Sequence, residues 1–158
     1  MRTSHAGALA ALHLALAAPF AAAQGHFTNF ETPQTHPIEV VQLGPSGQQQ
    51  EFVLVCNTPD NSLQVWTADP TPLLRARVSV GLGPGTVRFL PTGDSNIGRA
   101  FVCNFDGDSI SIVRLDVSSG TLLATLERTR RIGDEPADIA FNTGGTIGLV
   151  SLSTRGQM

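Results

Sequence analysis

From Pro37 onward the chain consists of short apolar runs divided by turn residues. The apolar positions Ile38 and Val40 alternate along Pro37 to Val41. From Glu51 to Asn57, Phe52 and Leu54 alternate with Val53 and Val55, the continuous apolar run expected of a strand buried on both faces. Further runs follow at Ser62 to Thr67, Leu73 to Val80, Thr86 to Leu90, Ala100 to Asn104, Ser109 to Leu115, Thr121 to Arg128 and Ala137 to Asn142. The intervening stretches are rich in Gly, Pro, Asp and Asn. In Thr58-Pro59-Asp60-Asn61, for example, Pro presets φ while Asp and Asn tolerate a left-handed backbone. The pattern predicts an all-β chain, with Val53, Val55, Phe89, Phe101, Val102 and Phe141 in its interior.

The runs repeat. Leu54-Val55-Cys56-Asn57, a turn and Ser62-Leu63-Gln64-Val65 return 47 positions later as Phe101-Val102-Cys103-Asn104, a turn and Ser109-Ile110-Ser111-Ile112. Pro84, Val87, Phe89 and Gly93 return 52 positions later as Pro136, Ile139, Phe141 and Gly145. Pro37 anticipates Pro84 by 47 positions, so half a repeat precedes the first complete one. A period of about 40–50 residues made of short strands marks a propeller-like array. Each unit is expected to hold four antiparallel strands. In the first these are Glu51 to Asn57, Ser62 to Thr67, Leu73 to Val80 and Thr86 to Leu90. The second unit ends at Asn142, a loop being expected over Thr129 to Pro136, and a third begins at Ile147. The expected architecture is a partial β-propeller of two full blades and two partial ones.

Composition adds an address. Arg2, the apolar stretch from Ala8 to Ala18 and the small residues Ala21-Ala22-Ala23 have the layout of a secretory signal peptide, cleaved before Gln24. The apolar stretch is well short of the ~18–20 residues that a membrane span needs. The expected organisation is a signal peptide at 1–23, a polar lead-in at 24–36 and the repeat domain at 37–158, in a secreted, periplasmic or cell-surface protein. The net charge of −3 is spread among interspersed acids and bases. It leaves no basic stripe for nucleic acid. Cys56 and Cys103 occupy equivalent positions in successive units, on the order of 10 Å apart in a radial array, beyond the ~7 Å Cα limit for a disulfide. Both are expected to be reduced and buried.

The residues Leu54-Val55-Cys56-Asn57 and Phe101-Val102-Cys103-Asn104 resemble the start of the YVTN family of β-propeller repeats. The continuation is similar too: Ser119 to Leu126, with its Gly and Ala-Thr-Leu, and Gly133-Asp134-Glu135-Pro136-Ala137-Asp138-Ile139-Ala140-Phe141. The resemblance covers Pro37 to Met158. The third copy, Leu149-Val150-Ser151-Leu152, lacks the Asn, and no Gly-His and Trp-Asp pairing supports a WD40 repeat. The resemblance implies an exported, seven-bladed scaffold at the cell envelope. This chain would then be an N-terminal piece of a longer propeller, and residues 24–158 alone would be aggregated, oligomeric or marginally folded.

Candidate chemistry is sparse. Asp106-Gly107-Asp108 supplies carboxylates for a hard cation but lacks the other ligands, and hairpin-turn chemistry accounts for it. Asp134, Glu135 and Asp138 form an acidic cluster open to acid–base work or to plain solvation. His36, before Pro37, is placed to line a ligand mouth or to serve structure. Arg128-Thr129-Arg130-Arg131 can attract an anionic partner or sit in solvent as a loop. There is no Cys-x-x-Cys-His haem motif, no Gly-x-Ser-x-Gly elbow and no phosphate loop. His36, Asp134 and Glu135 are the candidate mouth residues, with no catalytic, cofactor or metal residue assigned. The expected function is a binding or scaffolding surface for a protein or other surface ligand and for further blades. The alternative is a lactonase-like or dehydrogenase-like propeller enzyme whose site further blades complete.

Overall fold

The structure, a computed structural model, describes residues 34–153; the expected signal peptide and residues 154–158 lie outside them. Ten strands make up the described chain: β1 Ile38–Leu43, β2 Gln50–Asn57, β3 Ser62–Thr67, β4 Leu74–Ser79, β5 Pro84–Pro91, β6 Ile97–Asn104, β7 Ser109–Asp116, β8 Leu123–Arg131, β9 Pro136–Phe141 and β10 Gly148–Leu152. The expected all-β class holds, with strand over both Leu74–Ser79 and Leu123–Arg131. The strands form antiparallel sheets in simple up-and-down order: β1 to β4, β5 to β8, and the pair β9–β10. These are two full blades and the inner half of a third, the layout of a partial propeller. No helix among the described residues is long and apolar enough to cross a membrane.

The grouping of strands differs from the one expected. Thr86 to Leu90 does not close the first unit; it lies in β5, the first strand of the second sheet, and pairs with β6. Pro37 to Val41 correspondingly contributes β1 to the first sheet instead of standing as half a unit. The chain changes sheets at Gly81–Gly83. Here a side chain on Gly81 would meet the Asn104 Nδ2 at 2.5 Å, and Gly83 takes φ 63°. A residue without a side chain lets the connection pass over the end of the next sheet.

Consecutive sheets stack through alternate positions of their strands. Val41, Phe52, Leu54, Leu63 and Val65 of the first sheet pack on Val87, Ala100, Val102, Val113 and Leu115 of the second. The opposite side of the second sheet carries Phe101, Cys103, Ile110 and Ile112, which meet Ile139, Phe141 and Val150 of the third. Each Leu or Val fully withdrawn from water in this way stabilises the stack by about 1.5–3 kcal/mol. Of the residues expected inside, Val102 is fully buried, whereas Val53, Val55, Phe89, Phe101 and Phe141 are only half-buried. Val53 and Val55 lie on the outward side of the first sheet, which no sheet among the described residues covers.

Polar groups tie the stack at its ends. Asn104, the Asn of the repeated motif, is fully buried and donates from Nδ2 to the hydroxyls of Ser109 (3.1 Å) and Ser111 (3.0 Å). The hairpin residues Asn61 (φ 52°) and Asp108 (φ 48°) hold the left-handed backbone expected of their turns. Their side chains accept from the backbone of the next connection: Gly83 N–H donates to Asn61 Oδ1 at 2.9 Å, and Glu135 N–H to Asp108 Oδ1 at 3.2 Å. One turn position thus fixes each sheet to the entry of the following one.

Candidate functional site

The first strands of the three sheets, β1, β5 and β9, lie side by side. His36 enters this line as a parallel bridge to Thr86. Its N–H donates to the Thr86 hydroxyl at 3.2 Å, that hydroxyl donates to Ala137 C=O at 2.7 Å, and Val87 N–H donates to His36 C=O at 2.9 Å. Thr86 is fully buried, so one hydroxyl links three successive sheets. Along the same line the Arg88 guanidinium makes a two-pronged pair with Asp138, Nε to Oδ1 at 3.0 Å and Nη2 to Oδ2 at 2.9 Å. That hydrogen bonding holds the Asp138 carboxyl below its usual range, with a smaller contribution from His36. Glu39 Oε2 accepts from Phe89 N–H at 2.6 Å, yet burial pushes its carboxyl above the usual value.

The three candidate mouth residues occupy two settings. His36 belongs to the β1–β5 bridge and stands within electrostatic reach of Asp138. Asp134 and Glu135 belong to the β8–β9 connection above the Asp108 turn. Asp134 is exposed, while Glu135 takes φ 47° and accepts from Ser153 N–H through its carbonyl at 2.8 Å. Asp108 also pairs with Arg131 at 3.4 Å, so its carboxylate works within the turn. No group of three or more His, Cys, Asp or Glu side chains suited to a metal ion occurs among the described residues. Cys56 and Cys103 are free and buried, and burial raises each thiol to about 12. At neutral pH both are protonated and poor nucleophiles.

A groove lies between the second and third sheets. Its volume is about 310 Å³ and its walls include Leu90, Phe101, Ile110, Ile112, Ile139 and Phe141. The Phe101 and Phe141 rings meet in it with centroids 4.7 Å apart and tilted by 58°. Its origin is topological: the two strands of the third sheet stand against four in the second. Arg130 lines the groove as well. The arginines expected on a loop are on β8, which continues to Arg131 instead of ending at Arg128. Arg128 pairs in register with Ile112 and Arg130 with Ile110, so both arginines share the face of the groove's isoleucines. Both are exposed. An apolar floor beside two accessible guanidinium groups suits a ligand that is apolar along its length and carries negative charge.

Arg88, Glu39 and the groove were missed in the sequence. A charge at the centre of the apolar run Thr86 to Leu90 was the available signal for Arg88. The groove has none, since its lining comes from separate strands that each resemble ordinary core. No family model, curated protein or solved structure matches the chain.

Proposed function

We propose that the protein is an exported, propeller-type scaffold of YVTN-like repeats that binds an extended, acidic and partly apolar segment of a protein partner at the cell envelope. The observation that carries this reading is the groove, with Arg130 among its lining residues and Ile110 and Ile112 on its floor. The polar groups of the β1–β5–β9 line support it from another side. Arg88 and Asp138 are paired with each other, and Glu39 holds a backbone N–H, so these groups serve to fix the sheets. The rigid stack supplies the shape, apolar contact supplies affinity, and Arg128 and Arg130 supply the preference for acidic partners.

The test uses fluorescent eight-residue peptides of alternating Leu and Glu, with Leu/Lys peptides as controls, followed by anisotropy. The acidic series is expected to bind, more weakly as salt rises. Arg130→Glu should weaken that binding about tenfold or more and leave the thermal midpoint within a few degrees. Equal binding of the Leu/Lys series, or an Arg130→Glu protein that binds the acidic series as before, would refute the proposal.

A further inference from the structure

The β2–β3 and β6–β7 hairpins share a framework and differ in what fills it. Asn57 opposes Ser62 in the first as Asn104 opposes Ser109 in the second, and Asn61 and Asp108 hold the matching left-handed positions. In the first hairpin the Asp60 carboxylate accepts from Asn57 Nδ2 at 3.3 Å and from the Ser62 hydroxyl at 2.5 Å, and Arg77 balances its charge at 2.8 Å. The residue 47 positions after Asp60 is Gly107. Arg77 lies opposite Gln64, the third residue of β3, and its counterpart opposite Ser111, the third residue of β7, is Thr129. Carboxylate and guanidinium are thus replaced together, and the second hairpin stays neutral with no side chain at that place.

Two hydrogen-bonding groups beside Gly107 are left over. Asn104 is fully buried; its Nδ2 donates to Ser109 and Ser111, while its Oδ1 accepts no hydrogen bond among the described residues. The buried Ser109 hydroxyl accepts from that Nδ2 and donates to nothing among them. Ser111, by contrast, also accepts from Gly81 N–H at 3.2 Å and meets the Thr129 hydroxyl at 2.9 Å. A substituent on Gly107 would begin 3.4 Å from Ser109 Oγ, so position 107 addresses this hydroxyl as Asp60 addresses Ser62.

We propose that a water molecule is bound here, accepting from the Ser109 O–H and donating to Asn104 Oδ1. The two leftover groups decide the ligand. An anion would satisfy Ser109 but set a second acceptor against Oδ1, and the guanidinium that would balance its charge is replaced by Thr129. A cation would satisfy Oδ1 but oppose the Ser109 proton. Water is donor and acceptor at once, and a place that takes a carboxylate in the first hairpin has room for it. The bound water completes the polar tie between this hairpin and the connection over it, where Gly81 lies against the same amide.

Crystal structures of the full chain, as wild type and as two variants, are the test. The wild type is expected to show one solvent peak within hydrogen-bonding distance of both Asn104 Oδ1 and Ser109 Oγ. Gly107→Asp should lose the peak, with its carboxylate accepting from Ser109 and the Asn104 amide turning Nδ2 toward it, as Asn57 does toward Asp60. Ser109→Ala keeps the bond between Asn104 and Ser111 and should lose the peak as well; it carries the comparison if Gly107→Asp does not fold. Bromide and rubidium soaks of the wild type should give no anomalous signal at the site. The proposal is overturned if the wild type has no shared peak, if the peak survives Ser109→Ala or a folded Gly107→Asp, or if bromide or rubidium occupies the site.

Discussion

Glu39 and Asp138 are carboxylates on the same line of strands with opposite electrostatic settings. Asp138 is held by Arg88, so its folded pKa lies below the unfolded one. Its contribution is present above the unfolded value and is lost as pH falls through the folded one. Glu39 is raised from 4.5, because loss of water outweighs both the Phe89 N–H and the attraction of Arg88. Its contribution is therefore full below the unfolded pKa and is lost as pH rises through the folded value. Glu39→Gln keeps an acceptor for Phe89 N–H and removes the half-buried charge. The thermal midpoint of this variant should exceed that of the wild type by a few degrees at pH 7, and the gap should close near pH 4. A lower midpoint at pH 7 would mean that the attraction of Arg88 dominates.

Elements are joined by turns whose side chains reach the next sheet. Asp108 satisfies Glu135 N–H from a left-handed backbone, and its pair with Arg131 is largely solvated, with the Arg131 side chain 84% exposed. Such a surface ion pair is worth little. Urea unfolding of two variants separates the roles. Asp108→Asn should be nearly silent, since the amide oxygen still accepts and Asn tolerates φ > 0. Asp108→Ala should cost about 1–2 kcal/mol through the lost acceptor and the strained backbone. Equal losses in both would place the energy in the ion pair.

The hairpin repeat located nearly every strand, because paired apolar runs and turn residues survive at an offset of 47. The phase was not legible. The run Thr86 to Leu90 is flanked on both sides by short Gly-containing connections, and only three-dimensional pairing assigns it to the sheet that follows. The end of β8 was not legible either. Thr129 to Arg131 is polar, yet it pairs with Ser109 to Ser111, where Arg130 opposes Ile110 and the Ser111 and Thr129 hydroxyls meet at 2.9 Å. Ladder hydrogen bonds and a hydroxyl pair hold that segment, and no apolar alternation marks it. For the same reason the arginines read as a loop.

At the scale of the whole molecule, the second sheet is the only one of the three with a neighbour on both sides among the described residues. This asymmetry explains why Val102 is fully buried and its equivalent Val55 is not. It also explains why Val53 and Val55, expected inside from the repeat alone, are half-buried: the repeat specifies which way a side chain points, and the neighbour decides whether water is excluded. Leu54, Phe101 and Leu149 record the same gradient from buried to exposed. Local stability should follow it, since opening a strand packed on two sides exposes more apolar surface than opening one packed on a single side.

Residue-resolved amide hydrogen exchange of the native chain tests this stack most directly. The slowest amides should lie in β5, β6 and β7, Val87 and Val102 among them, with β1 and β4 faster and β10 fastest. Protection concentrated in β1 to β4, with the amides of β5 exchanging as freely as those of β10, would contradict the account, because it would remove the second sheet from between its neighbours.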